Sequence, residues 1–389
     1  MSFPIARLED VCSFLAGNAW KSEGFSSDSN GIPVIRIQNV SDDVGDFVYW
    51  SGEYDPKYVV NDNDILLSLS GNVKLTIWKS GKALLNQRVV KLIPSQKVNS
   101  EYFYWAIDRA VDAIAKMAKH AVIANVSMAD LRNIEIPLPP LDEQRRIAAI
   151  LDKADAIRRK RQESIRLTEE FLRSTFLEMF GDPVTNPKGW KLKKLGDVIS
   201  SIDSGWSANG SDRPKRDDEW AVLKISSVTS GRFMPSEYKV LDENIPSEKK
   251  IIIPKRGDLL FSRANTRELV AATCLVESDQ TNIFLPDKLW RISPKEDVCT
   301  TEYLRYLLAH DKFREQITKK ATGTSGSMLN VSMQKVREEP APIPPLSLQK
   351  QFACIMWKSF DARTQNEASS LSADQLFNSL THRAFRGEL

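Results

Sequence analysis

The residues of this chain able to do covalent or metal chemistry are few and scattered. Cys12, Cys274, Cys299 and Cys354 share no metal-type spacing, and His120, His310 and His382 do not cluster with them. There is no Walker A sequence, no HExxH, no GxSxG and no strand-to-helix GxGxxG. What is patterned is the chemistry of binding. Guanidinium, ammonium and carboxamide groups stand in polar loops beside short apolar runs, and such groups donate hydrogen bonds to anions and to polar edges. They come in matched pairs. Charge is kept at Arg36/Lys224, Arg88/Lys288 and Lys91/Arg291. The neighbours diverge: Gln38/Ser226, Gln87/Asp287, and Leu69-Ser70-Gly71-Asn72 against Arg263-Ala264-Asn265-Thr266.

The pairs exist because the chain is written twice. Asn125-Val126-Ser127-Met128 recurs as Asn330-Val331-Ser332-Met333, an offset of 330 − 125 = 205. Pro139-Pro140-Leu141/Pro344-Pro345-Leu346, Gln144/Gln349, Arg158/Arg363 and Phe180/Phe385 hold that register without a gap. Upstream the register drifts through offsets 187, 188, 194 and 201. The second copy is therefore the first with insertions, which fall in surface loops where function concentrates.

The elements that must position these loops can be read from the same repeat. After each Pro-Pro-Leu comes an N-cap candidate, Asp142 or Ser347, and then neither Gly nor Pro until Gly181 or Gly387. Each such run predicts a helix of ~40 residues, ~60 Å long. Ile147, Leu151, Ala154, Ile165, Leu172 and Met179 recur in 4-3 spacing, with Arg158, Arg161 and Thr168 interrupting the seam. Helices this long need a partner, and each copy is the obvious partner of the other. Residues 32–40 and 220–228 alternate like strands, which would put Arg36/Gln38 and Lys224/Ser226 on one face. Residues 64–69, 257–262, 84–93 and 283–292 predict further strands, and 100–118 and 301–320 predict helices. The aromatic run Tyr102-Phe103-Tyr104-Trp105 is expected to be helix core. Arg158-Arg159-Lys160-Arg161 is expected to be a solvated face or a partner contact.

At 389 residues the chain is too long for a single core. The expected architecture is α+β: two similar mixed α/β modules, 1–140 and 183–345, separated by two long antiparallel helices, 141–182 and 346–389, with pseudo-two-fold symmetry. The 54 basic and 51 acidic residues give a net charge of +3, which permits an anionic partner without arguing for one. The start Met1-Ser2-Phe3-Pro4 lacks signal-peptide regions, and no uncharged run is long enough to span a membrane. The expectation is a cytoplasmic protein with reduced thiols and no structural metal.

Leu138-Pro139-Pro140-Leu141-Asp142-Glu143-Gln144, the long helix after it and Glu178-Met179-Phe180-Gly181-Asp182-Pro183 together resemble the central region of Type I restriction–modification specificity subunits. The second copy, through His382-Arg383-Ala384-Phe385-Arg386-Gly387-Glu388-Leu389, is similar to that family's distal region. The resemblance covers essentially the whole chain. It implies that each module is a target recognition domain reading one half of a split, asymmetric site in double-stranded DNA. It implies further that the long helices space the halves and dock two methyltransferase subunits, with restriction/translocase subunits joining through the complex. No cofactor is then expected in this chain; S-adenosylmethionine, ATP and Mg would sit on partner subunits. An adenine methyltransferase of its own would show an Asn/Asp-Pro-Pro-aromatic motif, and Asn186-Pro187-Lys188-Gly189 is a turn instead.

With DNA as the implied partner, kept charge suits phosphate positioning and divergent polar loops suit base readout. The candidate contacts are Arg36, Gln38, Asn39, Ser70, Asn72, Gln87 and Arg88 in the first module. In the second they are Arg213, Lys215, Lys224, Ser226, Arg263, Asn265, Arg267 and Lys288. The competing class is a coiled-coil interaction scaffold without DNA readout, which loop divergence over a preserved core disfavours.

Overall fold

In the computed structural model the two long helices are Leu141–Phe180 and Leu346–Ala384. The structure describes residues 3–26, 29–40, 46–70, 73–118, 127–323 and 328–389. Both helices begin two residues earlier than the cap signals place them. Gln144 N–H donates to Pro140 O at 3.0 Å and Gln349 N–H to Pro345 O at 3.2 Å, so the second proline is the capping residue and Asp142 and Ser347 lie inside the first turn. Proline suits that position because the helix needs only its carbonyl there. The stop is as expected. Gly181, at φ +78°, donates its N–H to Leu177 O at 2.8 Å, a left-handed ending that glycine adopts without strain.

The chain divides into two compact units. One comprises Met1–Arg161 with Ser369–Leu389, the other Gln162–Ala368. Each thus combines a globular module with the beginning of one long helix and the end of the other. Within each unit the two helix segments run antiparallel. In the first, Arg158 lies 4.8 Å over the Phe377 ring. In the second, Phe176 packs on Phe352, and Glu169 and Ser164 meet Arg363 and Asn366.

The modules share one plan. A four-stranded antiparallel sheet in the order Cys12–Ala16, Val89–Pro94, Ile65–Ser68, Leu75–Ile77 recurs as Ile199–Ser204, Leu289–Pro294, Leu259–Ser262, Thr273–Leu275. A second sheet in each contains one parallel pair, Ile32–Ile35 with Ala83–Leu85 and Ala221–Leu223 with Ile283–Phe284. A two-stranded ribbon joins the start of each module to the segment before its helix, Ile5–Arg7 with Glu135–Pro137 and Leu192–Lys194 with Pro340–Pro342.

Equivalent side chains tie each module to its helix. Buried Gln144 accepts from Asn99 N–H at 2.8 Å and donates to Pro139 O at 2.8 Å; buried Gln349 accepts from Thr300 N–H at 2.9 Å and donates to Pro344 O at 2.8 Å. The phenols of Tyr102 and Tyr303 donate to Pro137 O and Pro342 O at 2.7 and 2.6 Å. A buried amide or phenol needs such partners, because an unmet one costs about 1–3 kcal/mol. The cores follow the periodicity: Ile147, Leu151, Tyr102, Phe103 and Trp105 are buried in one unit, and Leu172, Phe176, Tyr303 and Phe352 in the other.

Three expectations need correction. The strands at 32–40 and 220–228 end at Ile35 and Leu223, where the chain turns into short helical segments at Ile37–Asn39 and Ser226–Thr229. Arg36/Gln38 and Lys224/Ser226 therefore share no strand face. The runs 84–93 and 283–292 each split around a turn, and 301–320 is two helices broken at His310.

The stop after the first long helix carries a pH-sensitive pair. Asp182 is held down to about 2, chiefly by the Lys312 ammonium 2.8 Å away and then by the backbone N–H groups of Val184 and Thr185. With the folded value below the unfolded value of roughly 3.9, this pair stabilises unit 2 above pH ~4 and is lost as pH falls through about 2. Asp182→Asn should lower the unfolding midpoint at pH 6, and the difference from wild type should vanish near pH 2. A difference that persists at pH 2 would show that the carboxylate charge is not its source.

Candidate nucleic-acid interface

In both modules a glycine lets the chain pass over the turn between two strands. Gly17 N–H donates to Val89 O at 3.1 Å and Asn18 N–H to Leu85 O at 3.0 Å. A Cβ on Gly17 would sit 2.1 Å from Asn86 O. In the second module Trp206 N–H donates to Leu285 O at 3.0 Å, and a Cβ on Gly205 would sit 1.8 Å from that oxygen. Neither position has room for a side chain. A third segment joins alongside: Leu69 N–H donates to Arg88 O and Arg263 N–H to Lys288 O, each at 3.1 Å. Three segments converge in each module: 17–18, 69–70 and 86–88 in the first, and 205–207, 263–267 and 286–288 in the second.

In the first module Gln87 and Arg88 are exposed at the tip, where Asn86 Oδ1 accepts from Gln87 N–H at 2.8 Å. Ser70 has a buried hydroxyl oxygen without a hydrogen-bond partner among the described residues, and Asn72 lies outside them. In the second module Arg263 is clamped, its Nε donating to Asp287 O at 3.0 Å and its Nη2 to Asp287 Oδ2 at 3.3 Å. Ser207 Oγ donates to the other carboxylate oxygen. Burial pushes the Asp287 carboxyl up, but the bonds from Ser207 and Arg263 outweigh it and hold it below its usual range. Lys288 is half-buried, Arg267 is exposed, and Asn265 caps Thr266 N–H at 2.8 Å. Trp206 stacks on Phe284 with planes 3° apart, and Lys249 Nζ lies 5.8 Å over its ring.

Arg213, Lys215, Lys224 and Ser226 form a separate group, each with a partner of its own. Arg213 makes two 2.8 Å bonds to Glu219, whose carboxyl it holds down to about 2. Lys224 pairs with Asp212, which raises its pKa, and Ser226 donates to Glu237 at 2.7 Å. Lys215 Nζ donates to Arg216 O at 2.9 Å. Exposed ion pairs of this kind contribute little to stability, so a phosphate can displace the acid.

Two readings from charge and polarity fail. Asn39 is fully buried, its Oδ1 accepting from Arg36 N–H at 3.0 Å, and it serves as a local cap rather than a contact group. Arg36 is itself turned to the chain, donating to Asp46 O at 3.3 Å, while Gln38 is exposed. The kept pair Lys91/Arg291 is scaffold: Lys91 bonds Asp64 at 2.6 Å, and Arg291 lies 3.8 Å from the equivalent Asp258 and 3.4 Å from Asp203. Charge was kept there because its acidic partner was kept. Sequence reasoning passed over Gly17, Gly205 and Ser207, and met Asp287 only as the divergent counterpart of Gln87; glycines at the common offset of 188 were the available signal for the first two. Among the described residues no His, Cys, Asp or Glu cluster is arranged to hold a metal, and no helix is long and apolar enough to cross a membrane.

Comparison with known proteins gives a consistent result. A family model described as the Type I restriction modification DNA specificity domain matches residues 3–168 and 187–372. Over 413 residues the chain is 22% identical to the Type I restriction enzyme EcoBI specificity subunit of Escherichia coli, covering 98% of this chain and 85% of that one. It is 24% identical to the EcoKI specificity subunit of Escherichia coli, covering 99% and 89%. The crystal structure of a Type-I restriction-modification system S subunit from M. genitalium aligns over 99% of this chain and 96% of that one, with a TM-score of 0.61 and 13% identity.

Proposed function

This chain belongs to the Type I restriction modification DNA specificity domain family, and from that membership we propose that its two modules read the two halves of an asymmetric, split DNA site. The observation that carries this reading is the pair of converging loop sets: one backbone scaffold, glycine pass included, presenting Asn18, Gln87 and Arg88 in one module and Trp206, Arg263, Asp287 and Lys288 in the other. A shared scaffold with different donors gives two half-sites of different sequence. The chain itself is non-catalytic. It directs methyltransferase and restriction subunits, on which S-adenosylmethionine, ATP and Mg are carried, to that site in the cytoplasm.

The test is methylation sequencing of cells carrying the chain with its methyltransferase partner. Arg263→Ala should relax one position in one half-site by ~1–3 kcal/mol of discrimination and leave the other half unchanged. Arg88→Ala should affect only the opposite half. Equal relaxation of both halves by either variant would refute modular reading.

The partner docks on the apolar side chains that the helix segments leave exposed. These are Ile157, Leu371 and Leu376 in the first unit and Leu167, Phe171 and Leu177 in the second, between 42 and 66% exposed. Two long helices paired only with each other would leave Phe171, Phe176 and Phe377 partly uncovered; Phe176 and Phe377 are instead 2 and 7% exposed and belong to the cores. Since both helices are unbroken and contribute to both units, they set the spacing of the half-sites. Inserting four residues after Ser164 and after Ser369 adds ~6 Å to each helix, slightly more than a turn. The gap in the DNA site should lengthen by up to about two base pairs at ~3.4 Å each, with both half-sites unchanged. Original spacing at full activity would show that the helices are not the ruler.

A further inference from the structure

A cavity of about 250 Å3 lies within unit 2, lined by none of the reader-loop residues. It opens between the central helix at Arg173–Leu177, the turn Thr229–Gly231, the strand at Thr273 and the break between the helices Thr301–Ala309 and Asp311–Lys319. Four buried polar atoms on its lining have no hydrogen-bond partner among the described residues: Thr273 Oγ1, Arg305 Nε, Tyr306 OH and His310 Nδ1. Thr273, Tyr306 and Arg305 are 2, 4 and 6% exposed. One such orphan costs about 1–3 kcal/mol, and buried polar groups without a partner call for an explanation one by one. Four around one small space have a common explanation in something that fills it.

The chemistry of that occupant follows from the donors. Guanidinium N–H can only donate, and hydroxyl groups can donate. Burial raises the Tyr306 phenol to about 12, so it keeps its proton at neutral pH. The lining carries three guanidinium groups, Arg173, Arg305 and Arg314, against one carboxylate, Asp311, with Glu169 close enough to act on the Tyr306 phenol and Arg314 bonded to the carbonyls of Val270 and Glu268. Arg305 is fixed by a 2.7 Å bond from Nη2 to Gly231 O and by stacking 4.3 Å over the Tyr306 ring, which leaves its Nε presented. The remaining wall is apolar, from Phe176, Leu177, Ala272 and Ala309.

Nothing in the shared scaffold demands this arrangement. At offset 201 the first unit has Tyr104 and Trp105 in place of Arg305 and Tyr306, and at offset 205 Asn378 in place of Arg173. There Trp105 donates its indole N–H to Asp152 at 2.8 Å and packs against Phe377 at 5.4 Å, so its polar atom is satisfied. The donors are particular to the second unit.

We propose that this cavity is a binding site for a small oxyanion of the phosphate class, taken as the free ion or as a phosphate monoester whose organic body rests on the apolar wall. Thr273, Arg305 and Tyr306 are more than nine-tenths buried, which admits a small ligand and keeps a duplex backbone out.

The test uses the full chain, with titration calorimetry and thermal unfolding in sodium phosphate or glycerol 3-phosphate against sodium chloride at equal ionic strength. Phosphate should bind saturably at one site and raise the unfolding midpoint by several degrees beyond chloride. Tyr306→Phe removes an orphan hydroxyl, so the ligand-free midpoint should stay or rise while affinity drops about tenfold. Arg173→Gln, at the exposed mouth, should lower affinity similarly with no effect on folding. Tighter binding of glycerol 3-phosphate would assign the monoester, and equal or weaker binding the free ion. Binding no better than chloride by both probes, or unchanged binding in both variants, would overturn the proposal. So would loss of phosphate binding on addition of stoichiometric duplex, which would assign the cavity to the DNA backbone.

Discussion

Arg363→Ala should destabilise unit 2 by about 3–5 kcal/mol, the cost of removing one partner from a buried charge cluster. The Arg363 side chain is 0% exposed and meets Glu277 at 2.6 Å, Glu169 on the facing long helix, and Glu367 at 3.6 Å on its own helix. Its guanidinium also lies 4.3 Å over the Phe360 ring. Glu277 belongs to the module, so this one cation joins module, central helix and C-terminal helix. Alanine would leave Glu169 and Glu277 facing a space without a positive charge, with Glu367 still paired to Arg232 at 2.6 Å, and the packing on Phe360 would be lost as well. In urea the midpoint should fall with the slope unchanged, the signature of lost stability rather than altered compactness. The repeat provides the control. Arg158 occupies the equivalent position in the first unit, where its side chain is 31% exposed and bonded to Asp155 on the same helix. Arg158→Ala should cost no more than ~1 kcal/mol. Equal losses at the two positions would show that the stabilisation comes from helix propensity or aromatic packing and not from the buried cluster.

Gly205→Ala should abolish recognition of one half-site while leaving the other intact. The added carbon would lie 1.8 Å from Leu285 O, a backbone atom that cannot rotate away, so the chain must shift and the 3.0 Å bond from Trp206 N–H to that oxygen is lost. Trp206 and Ser207 move with it, and the Ser207–Asp287–Arg263 clamp opens. If the loop set supplies two base contacts at about 1–3 kcal/mol each, discrimination at that half-site falls at least about thirtyfold. Gly17→Ala is the matching variant of the first module, with its Cβ 2.1 Å from Asn86 O, and should damage only the opposite half. Methylation sequencing reads both outcomes directly. The idea fails if either variant relaxes both halves equally, or if both keep full discrimination.

The sequence by itself determined the architecture, because the signals for it are local or internal to the chain. Hydrophobic spacing, proline and glycine stops and the 205-residue offset are properties of residues near one another or of one copy against the other. They placed the two long helices to within a residue or two and identified the strands at 64–69 and 257–262. They also identified the buried aromatic helix. The same offset found Gln144 and Gln349, whose matching clasps need no knowledge of the fold to be noticed as a pair. Tertiary structure decided what each polar residue does, since that depends on partners dozens or hundreds of positions away. Kept charge at Lys91/Arg291 proved to be kept ion pairing, Asn39 a cap, and Arg263 a group clamped by Asp287. Arg158 and Arg363 stand at one offset and read alike in sequence. Only the approach of Glu277 from the module, 86 positions earlier, makes the second the centre of a buried cluster. The cavity between Arg173 and Arg305 is likewise invisible along the chain, because the vacancy depends on what does not reach it. Periodicity encodes which side of an element faces inward, and the identity of what it meets there is a property of the folded packing.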